Sequence, residues 1–385
     1  MSTRALLFTD CVDFVGSACK PFAGMKKYVS TGAVDVDHIN DSDTEIVDYD
    51  GKPSRANLEV MAGDVLFAKM QGTKKTLLIN PVLANHIYST GFCAVRAKEG
   101  ILTERCLYHL LTSEMFLSQK DKNCSGATQK AITNAGLGKI VMHVPSVEEQ
   151  NNIADQLDAV IGIITKRQQE LSALDDLIKA RFVEMFGDET NPYNWPVINV
   201  EEVANISVGV VIKPAQYYTD EEHGVKAFRS LNIGPMTIKD GDWVYFSYEG
   251  NAKNAKSQLK ENDLLIVRSG APGTACVVPK QYEGCNAIDI IIARPNTERI
   301  NPYYLCTYTN MPHGKRQIEE GTGGAAQQHF NVGKYNKLRL MLPPMDRQDE
   351  FVNFVAQIDK SKVAVQKALD KAQVLFDSLM QQYFG

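Results

Sequence analysis

The hexapeptide PSVEEQ at residues 145–150 returns 198 residues later as PPMDRQ at residues 343–348. A Gly-Ala-x-Gln stretch precedes each copy, as GATQ at 126–129 and as GAAQ at 324–327. A long amphipathic run follows each copy and ends in Phe-Gly. Self-similarity at a fixed offset indicates an internal repeat. The sequence therefore predicts one architecture that is used twice.

Apolar residues recur after each hexapeptide in alternating steps of four and three, which is the heptad pattern of a coiled-coil helix. A proline at the start and a glycine at the end of each run suit the ends of a helix. Each run is long, roughly 60 Å for about 40 residues, so we predict that the two helices pack on each other. The alternative is that each is a core helix of its own domain. The heptad positions are Ile153, Leu157, Val160, Ile164, Arg167, Leu171, Leu174 and Ile178, and then Phe351, Val355, Ile358, Lys362, Val365, Leu369, Ala372, Phe376, Leu379 and Tyr383.

The composition is that of a globular protein with two or three domains: 385 residues, 44% hydrophobic and 23% charged. The formal charge of −5 is not that of a strongly basic nucleic-acid protein, although local charge decides what a surface attracts. Eight cysteines occur without a CxxC pair, which predicts neither a disulfide framework nor a metal site. We find neither a leader peptide nor a membrane-length apolar run, so we expect a cytoplasmic protein without a membrane partner.

Strand-like runs separated by polar loops fill the stretches between the helices, as in VLFAKM, TLLI, LLIVRS, ACVV and IDIIIARP. The polar junction ETNPYNWP at 189–196 separates the first helix from the second such stretch. We therefore predict domains at 1–144 and 189–342, and repeat helices at 145–188 and 343–385.

The two globular stretches also match each other locally. GDVLF at 63–67 resembles NDLLI at 262–266, and each leads to a basic residue and a glycine loop, Lys69 before QGTKK and Arg268 before SGAPG. Upstream, PSRANLEV at 53–60 aligns loosely with AKNAKSQL. These matches predict that both domains share one fold.

A variable domain that ends in G-x-x-Q, then a strand, a proline, an acidic-x-Gln pattern and a long helix, all repeated once, resembles the specificity subunit of type I restriction-modification systems. Arg347 departs from the first copy, which has the acidic Glu149 at the matching position. The chain also begins with little that matches NPYNWPVINVEEVANI, the entry to the second domain, so the resemblance does not assign a first strand to the N-terminal domain. The residues that carry the resemblance are Gly126, Gln129, Pro145, Glu149 and Gln150, and then Gly324, Gln327, Pro343 and Gln348.

The resemblance implies an α+β fold in which two α/β target-recognition domains are joined and separated by two long antiparallel coiled-coil helices in a pseudo-twofold repeat. It implies that each domain reads one half of a bipartite, asymmetric site in double-stranded DNA, and that helix length sets the unread gap. Because the two domains differ in sequence, we expect different half-sites. It further implies two modification (methyltransferase) subunits as partners, docked on the helices, and restriction subunits in a restricting complex.

DNA contacts are expected from basic and amide side chains near the glycine loops, because Lys and Arg hold phosphates while Arg, Asn and Gln read base edges. For each of these residues a solvated surface charge or a packing turn is the alternative. The GTGG at 321–324 lacks the GK[ST] ending of a phosphate-binding loop. The candidates are Arg55, Lys69, Lys74, Lys75, Gln129 and Lys130 in the first domain, and Lys256, Arg268, Ser269, Gln327, Gln328 and His329 in the second.

The sequence carries no recognised catalytic motif, neither HExxH nor GxSxG nor a dinucleotide fingerprint. We therefore predict a non-catalytic chain without a cofactor or metal of its own. The resemblance assigns S-adenosylmethionine, and ATP with magnesium during restriction, to the partner subunits. Two other functions remain open, namely a coiled-coil scaffold without DNA contact and a nuclease with scattered carboxylate ligands.

Overall fold

The computed structural model describes residues 3–127, 129–320 and 330–385. The chain forms two compact units of mixed helix and sheet. Unit 1 comprises the chain up to Gln169 together with Gln366–Gly385, and unit 2 comprises Glu170–Val365. The segment Gln366–Gly385 therefore folds with the N-terminal domain.

Unit 1 contains two four-stranded sheets of orders β6-β3-β10-β7 and β2-β11-β8-β9, and three strand pairs, β1-β14, β4-β5 and β12-β13. Its strands are β1 (Thr3–Leu7), β2 (Val12–Phe14), β3 (Lys26–Val29), β4 (Val34–Asp35), β5 (His38–Ile39), β6 (Glu45–Val47), β7 (Ala56–Leu58), β8 (Val65–Ala68), β9 (Thr76–Leu78), β10 (Ile87–Ser89), β11 (Phe92–Ala97), β12 (Cys124–Ser125), β13 (Ala131–Ile132) and β14 (Val141–Pro145). Its helices are α1 (Phe8–Cys11), α2 (Glu104–Thr112), α3 (Glu114–Lys122), α4 (Asn134–Leu137) and the first part of α5 (Val147–Phe186).

Unit 2 also contains two four-stranded sheets, of orders β16-β25-β22-β23 and β17-β21-β18-β24, with the pairs β15-β26 and β19-β20. Its strands are β15 (Val197–Asn199), β16 (Ala204–Val208), β17 (Tyr218–Thr219), β18 (Gly224–Phe228), β19 (Ile233–Gly234), β20 (Thr237–Ile238), β21 (Val244–Ser247), β22 (Leu264–Val267), β23 (Ala275–Val277), β24 (Asn286–Ala287), β25 (Ile290–Pro295) and β26 (Arg339–Met341). Its helices are α6 (Tyr248–Lys253), α7 (Pro302–Asn310), α8 (Pro312–Glu320), α9 (Val332–Asn336) and the first part of α10 (Met345–Phe384).

Several elements recur in the same order in both units. Helices α2 and α3 of unit 1 return 198 residues later as α7 and α8 of unit 2, and β14-α5 returns as β26-α10. The N-terminal domain does begin with a strand, because β1 pairs antiparallel with β14 just as β15 pairs with β26. The loosely matching segments PSRANLEV and AKNAKSQL differ, since residues 56–58 form strand β7 whereas their counterparts 255–257 form a helical turn.

The glutamine of each hexapeptide is fully buried and connects the first turn of a long helix to its own globular domain. Gln150 Oε1 accepts from the Thr103 amide at 2.8 Å, and its Nε2 donates to the Ile101 carbonyl at 2.8 Å and the Pro145 carbonyl at 3.0 Å. Gln348 repeats this arrangement, accepting from the Asn301 amide and donating to the Pro343 carbonyl, both at 2.8 Å. Each motif glutamine therefore fixes the first turn of its long helix to the adjacent domain through hydrogen bonds.

The turn before β8 in unit 1 and the turn before β22 in unit 2 contain the same hydrogen bond and ion pair. Asp64 and Asp263 are buried, and each accepts from a backbone amide three residues earlier at 2.8 Å. Arg96 pairs with Asp64, and Arg294 pairs with Asp263. A buried carboxylate is tolerated only when it is paired and hydrogen-bonded. These contacts explain why both local motifs contain an aspartate at this position.

The heptad stripe is the protected face of both long helices. Ile153, Leu157 and Val160 are buried, and exposure increases toward the middle of α5 before Phe182 and Phe186 are buried again. Tyr383 Oη donates to Gln156 Oε1 at 2.7 Å within unit 1. The Phe186 ring packs 5.5 Å from that of Phe351 within unit 2. Helix α5 ends as predicted, because Gly187 has a positive φ of 82° and donates to the Val183 carbonyl.

Candidate nucleic-acid interface

The loop between β8 and β9 carries three of the predicted DNA-contacting lysines. Lys69 is half-buried, and its amide donates to the Gly91 carbonyl at 3.0 Å. Lys74 is exposed and pairs with Glu114, whereas Lys75 donates to the Thr31 carbonyl at 2.8 Å. The ammonium of Lys75 therefore holds the protein's own backbone, while that of Lys69 has no hydrogen bond or ion pair among the contacts of the described residues.

A buried lysine that sequence reasoning missed, Lys120, binds two backbone carbonyls of the β8-β9 loop. Lys120 is 1% exposed, and its Nζ donates to the Met70 carbonyl at 2.9 Å and to the Thr73 carbonyl at 3.0 Å. Its neighbour Asp121 accepts from the Gly72 amide at 3.0 Å. An ordinary Lys-Asp pair in a helix gives no sequence signal of this role, because the role depends on a loop about 50 residues away.

Gly126 and Gln129 of the predicted Gly-Ala-x-Gln turn lie between β12 and β13, beside the same loop, while Thr128 lies outside the described residues. Gln71 donates its amide to the Lys130 carbonyl at 3.0 Å, and Ile132 donates to the Lys69 carbonyl at 2.9 Å. Gly126 has a φ of 133°, and a Cβ there would lie 2.4 Å from the Gln129 carbonyl oxygen. Only glycine fits this position. The hairpin thereby brings exposed Gln129 and Lys130 next to Lys69.

Arg55 lies apart from this cluster in sequence, immediately before β7. Its side chain is exposed, and its carbonyl accepts from the Asn57 amide at 2.9 Å and the Thr90 amide at 3.0 Å. The backbone at Arg55 is therefore fixed while the guanidinium faces solvent.

In unit 2 the residue that corresponds to Lys69 is engaged within the protein. Arg268 is 15% exposed, pairs with Asp289, and donates from Nε to the Phe330 carbonyl at 3.1 Å. The Phe330 amide donates to the Arg268 carbonyl at 3.1 Å, as Ile132 does to Lys69 in unit 1. Ser269 also has partners within the protein. Arg268 thus joins its own loop to two neighbouring segments.

The remaining unit 2 candidates divide into one described residue and three that are not. Lys256 is exposed in a helical turn over Ala255–Ser257. Gln327, Gln328 and His329 lie outside the described residues, as does Gly324. Lys315 supports the loop after Arg268 and donates to Thr274 Oγ1 at 3.1 Å. Burial lowers the pKa of Lys315.

Ionisable groups elsewhere are engaged in the folded structure. Burial raises the pKa of Cys93 to about 12, with the nearby Lys69 charge opposing the shift, which makes this thiol a poor nucleophile. His109 is buried and lies 2.7 Å from Asp158 Oδ1.

In the described part of the chain, no group of three His, Cys, Asp or Glu residues could hold a metal ion. Within the same residues, no helix has the length and apolar character needed to cross a membrane.

Three comparisons relate the chain to known proteins. The family model described as type I restriction modification DNA specificity domain matches residues 17–176 and 170–374. The chain is 20% identical over 313 residues to the type I restriction enzyme EcoBI specificity subunit of Escherichia coli, covering 75% of this chain and 66% of that protein. It therefore spans slightly less than two thirds of this relative. The type I restriction enzyme MjaIX specificity subunit of Methanocaldococcus jannaschii is 19% identical over 321 residues, covering 78% and 72% of the two chains.

Among solved structures, a type I restriction-modification system S subunit from M. genitalium has a TM-score of 0.57 at 13% identity, covering 100% of this chain and 96% of that one. A chain from a study of complex assembly and conformational transition of a type I system has a TM-score of 0.56 at 20% identity, with 99% and 97% coverage. At these identities the likeness shows a shared fold.

Proposed function

The chain belongs to the family of type I restriction modification DNA specificity domains, and we propose on this premise that it is the sequence-reading subunit of a type I restriction-modification complex. In this proposal each globular domain reads one half of a bipartite site in double-stranded DNA. The observation that carries the proposal is a repeated fold with unlike exposed chemistry. At corresponding loops, unit 1 presents Lys69 and Lys130 beside Gln129, whereas Arg268 of unit 2 is engaged internally. Two half-sites of different sequence follow.

The proposed DNA contacts are exposed side chains together with half-buried Lys69. Lys69, Lys130, Arg55 and Lys256 would neutralise phosphates, and Gln129 would pair with an adenine edge. Lys75 and Arg268 are assigned to the loops themselves, because their charges already bind protein groups. A local basic group such as Lys69 with Lys130 supports DNA binding even though the net charge is −5.

The two long helices are proposed to form an antiparallel coiled coil in a pseudo-twofold repeat, and so to set the unread gap. Within unit 2, Lys362 pairs with Asp175 at 2.6 Å and Arg181 pairs with Glu350 at 3.2 Å. These two pairs are those of helix segments that run antiparallel. A helix rises 1.5 Å per residue, so its length converts directly into a distance along DNA.

The same helices are proposed to dock two methyltransferase subunits. Leu177 and Leu375 occupy corresponding positions of α5 and α10, and they are 45% and 49% exposed. Two similar apolar positions outside the heptad stripe suit two copies of one partner. The methyltransferase subunits would supply S-adenosylmethionine chemistry, and restriction subunits would use ATP and magnesium. The chain itself would contribute specificity without catalysis and would act in the cytoplasm.

The test is single-molecule mapping of methylated adenines in cells that express the chain with its methyltransferase subunit, against cells without the chain. A split motif with a fixed gap that is methylated only when the chain is present supports the proposal. Unchanged methylation despite a stable complex with the methyltransferase contradicts it and favours a scaffold. DNA cleavage by the isolated chain with a divalent metal would instead indicate a nuclease.

A further inference from the structure

Unit 2 presents an apolar turn that packing does not explain. The turn follows β16 and contains Val211 and Ile212, which are 49% and 79% exposed. Among the described residues, no large apolar side chain has a higher exposure than Ile212. Lys213 comes next and is also exposed. Single exposed apolar residues are common, but two adjacent β-branched residues at the tip of a fixed turn are not accounted for by core formation.

The backbone holds this turn in place from both sides. Gly209 donates to the Ile290 carbonyl at 2.9 Å, Val210 donates to the Ala287 carbonyl at 2.8 Å, and Val210 accepts from the Asp289 amide at 3.2 Å. A Cβ at Gly209 would lie 2.3 Å from the Ala287 oxygen, so the close approach requires glycine. The entry to the turn is therefore rigid.

The exit from the turn is fixed as well, in a strained conformation. Lys213 has a φ of 45° and a ψ of 53°, in the left-handed region, and a helical turn over Pro214–Tyr217 begins immediately after it. Tyr217 packs against the buried ring of Phe246 at 5.6 Å. Strain of this kind in a non-glycine residue tends to mark functional sites.

The turn adjoins the candidate interface through one shared residue. Asp289 donates its amide to Val210 and accepts from Arg268 with its side chain. Asp289 itself has a φ of 51°. The apolar turn, its lysine and the Arg268 loop are thus parts of one rigid surface.

We propose that Ile212 reads a thymine in the half-site of unit 2 by contact with the thymine C5-methyl group, with Lys213 on the adjacent phosphate. The proposal rests on the proposed function. Thymine is the base that displays an apolar group in the major groove, and apolar side chains are the groups that recognise it. Phosphate contacts position a protein on DNA, whereas base contacts give specificity. Ile212 would therefore determine specificity, and Lys213 would position it.

The experiment measures the affinity of the full chain for duplexes that carry the mapped split site, with each thymine of both half-sites replaced in turn by deoxyuridine. The probe loses one methyl group and keeps its base pairing. We expect about a four-fold loss of affinity at one position of one half-site, which corresponds to one buried methyl group. Ile212→Ala should remove the difference between thymine and deoxyuridine at that position, and Ile212→Val should retain part of it.

The other half-site is an internal control, because its response to deoxyuridine should be the same in wild type and Ile212→Ala. The inference is overturned if neither half-site contains an A·T base pair. It is also overturned if Ile212→Ala keeps the full preference for thymine over deoxyuridine. A uniform loss of affinity for thymine and deoxyuridine duplexes also overturns it, in favour of a wedge between base steps. A chain that binds none of the duplexes overturns the proposed function as well, whereas binding that ignores every deoxyuridine overturns this inference alone.

Discussion

At the scale of single residues, Gln150 should be a larger determinant of stability than its polar character suggests. Gln150→Ala leaves the Thr103 amide and two carbonyls without their partners, and each unpaired buried group costs about 1–3 kcal/mol. We expect a loss of about 3 kcal/mol in the free energy of unfolding of unit 1, measured by urea denaturation. Gln169→Ala is the matched control, because Gln169 is exposed on the same helix. An equal effect of the two substitutions would contradict this role.

Gln150 also shows what sequence could predict at this scale. The repeat made Gln150 and Gln348 recognisable as a pair. Nothing in the motif indicates that both side chains are buried or that their hydrogen bonds fix a helix to its domain. Apart from the nearby Pro145 and Pro343 carbonyls, their partners lie 47 to 49 residues away, so these hydrogen bonds follow only from the fold. The same holds for Lys120, whose loop partners are equally remote.

His109 should make unit 1 less stable in mild acid. Burial lowers the pKa of His109, and the hydrogen bond with Asp158 opposes this shift only in part. An unfolded histidine titrates near 6.5, so below about pH 6.5 the unfolded chain binds a proton that the folded chain does not bind. The free energy of unfolding should therefore decrease as pH falls from about 7 to 5.

His109→Gln removes this proton uptake and should flatten the dependence of unfolding free energy on pH, by at most about 1.4 kcal/mol per pH unit. The comparison concerns the slope, because the substitution also changes packing. His143→Gln, at an exposed position of the same unit, is the control for the loss of one histidine. An unaltered slope in His109→Gln would refute the assignment.

At the scale of elements, the heptad seam is interrupted by a polar residue that should reduce stability. Lys362 lies on the protected stripe of α10 and pairs with Asp175, which is 52% exposed. An ion pair of this kind contributes at most about 1 kcal/mol, whereas a leucine would bury apolar area at the seam. We expect Lys362→Leu to raise the free energy of unfolding of unit 2 by about 1 kcal/mol. Lys360→Leu, on the exposed side of α10, should not.

Two lysines near the loop of residues 69–75, Lys130 and Lys120, should affect DNA binding in different ways. Lys130→Ala should lower DNA affinity and reduce the salt dependence of binding by about 0.9 on a log–log scale, the value for one phosphate contact. Lys120→Met should lower affinity without that change, because buried Lys120 holds the loop through the Met70 and Thr73 carbonyls. Binding titrations at several salt concentrations separate the two. A reduced slope for Lys120→Met would contradict the loop-holding role.

Regular elements were more accessible to sequence reasoning than loops, for a physical reason. Continuous apolar runs and a period of 3.5 residues report burial directly, so β8, β22 and both long helices could be predicted. The Arg268 loop could be located but not interpreted, because the engagement of its guanidinium depends on Asp289 and Phe330. The apolar turn at Val211 and Ile212 was missed, since two apolar residues after a strand look like its continuation.

At the scale of the whole molecule, the proposed gap ruler can be tested by lengthening both helices together. Seven residues inserted in the heptad register near the middle of α5, and seven at the facing position of α10, preserve the seam. They add about 10.5 Å of helix, which is about three base pairs of DNA at about 3.4 Å each. We expect methylation mapping to return the same two half-sites with the gap longer by about three base pairs.

The matched control inserts seven residues into α5 alone, which leaves one helix longer than the other and should abolish methylation of the split site. Unaltered half-sites in the double insertion are part of the expectation, because both reading domains remain intact. If the double insertion methylates the original spacing, the helices do not set the gap and the domains must be held by other contacts. If it methylates nothing while the complex with the methyltransferase still forms, the spacing tolerates no change in helix length, and the ruler must then include the partner subunits.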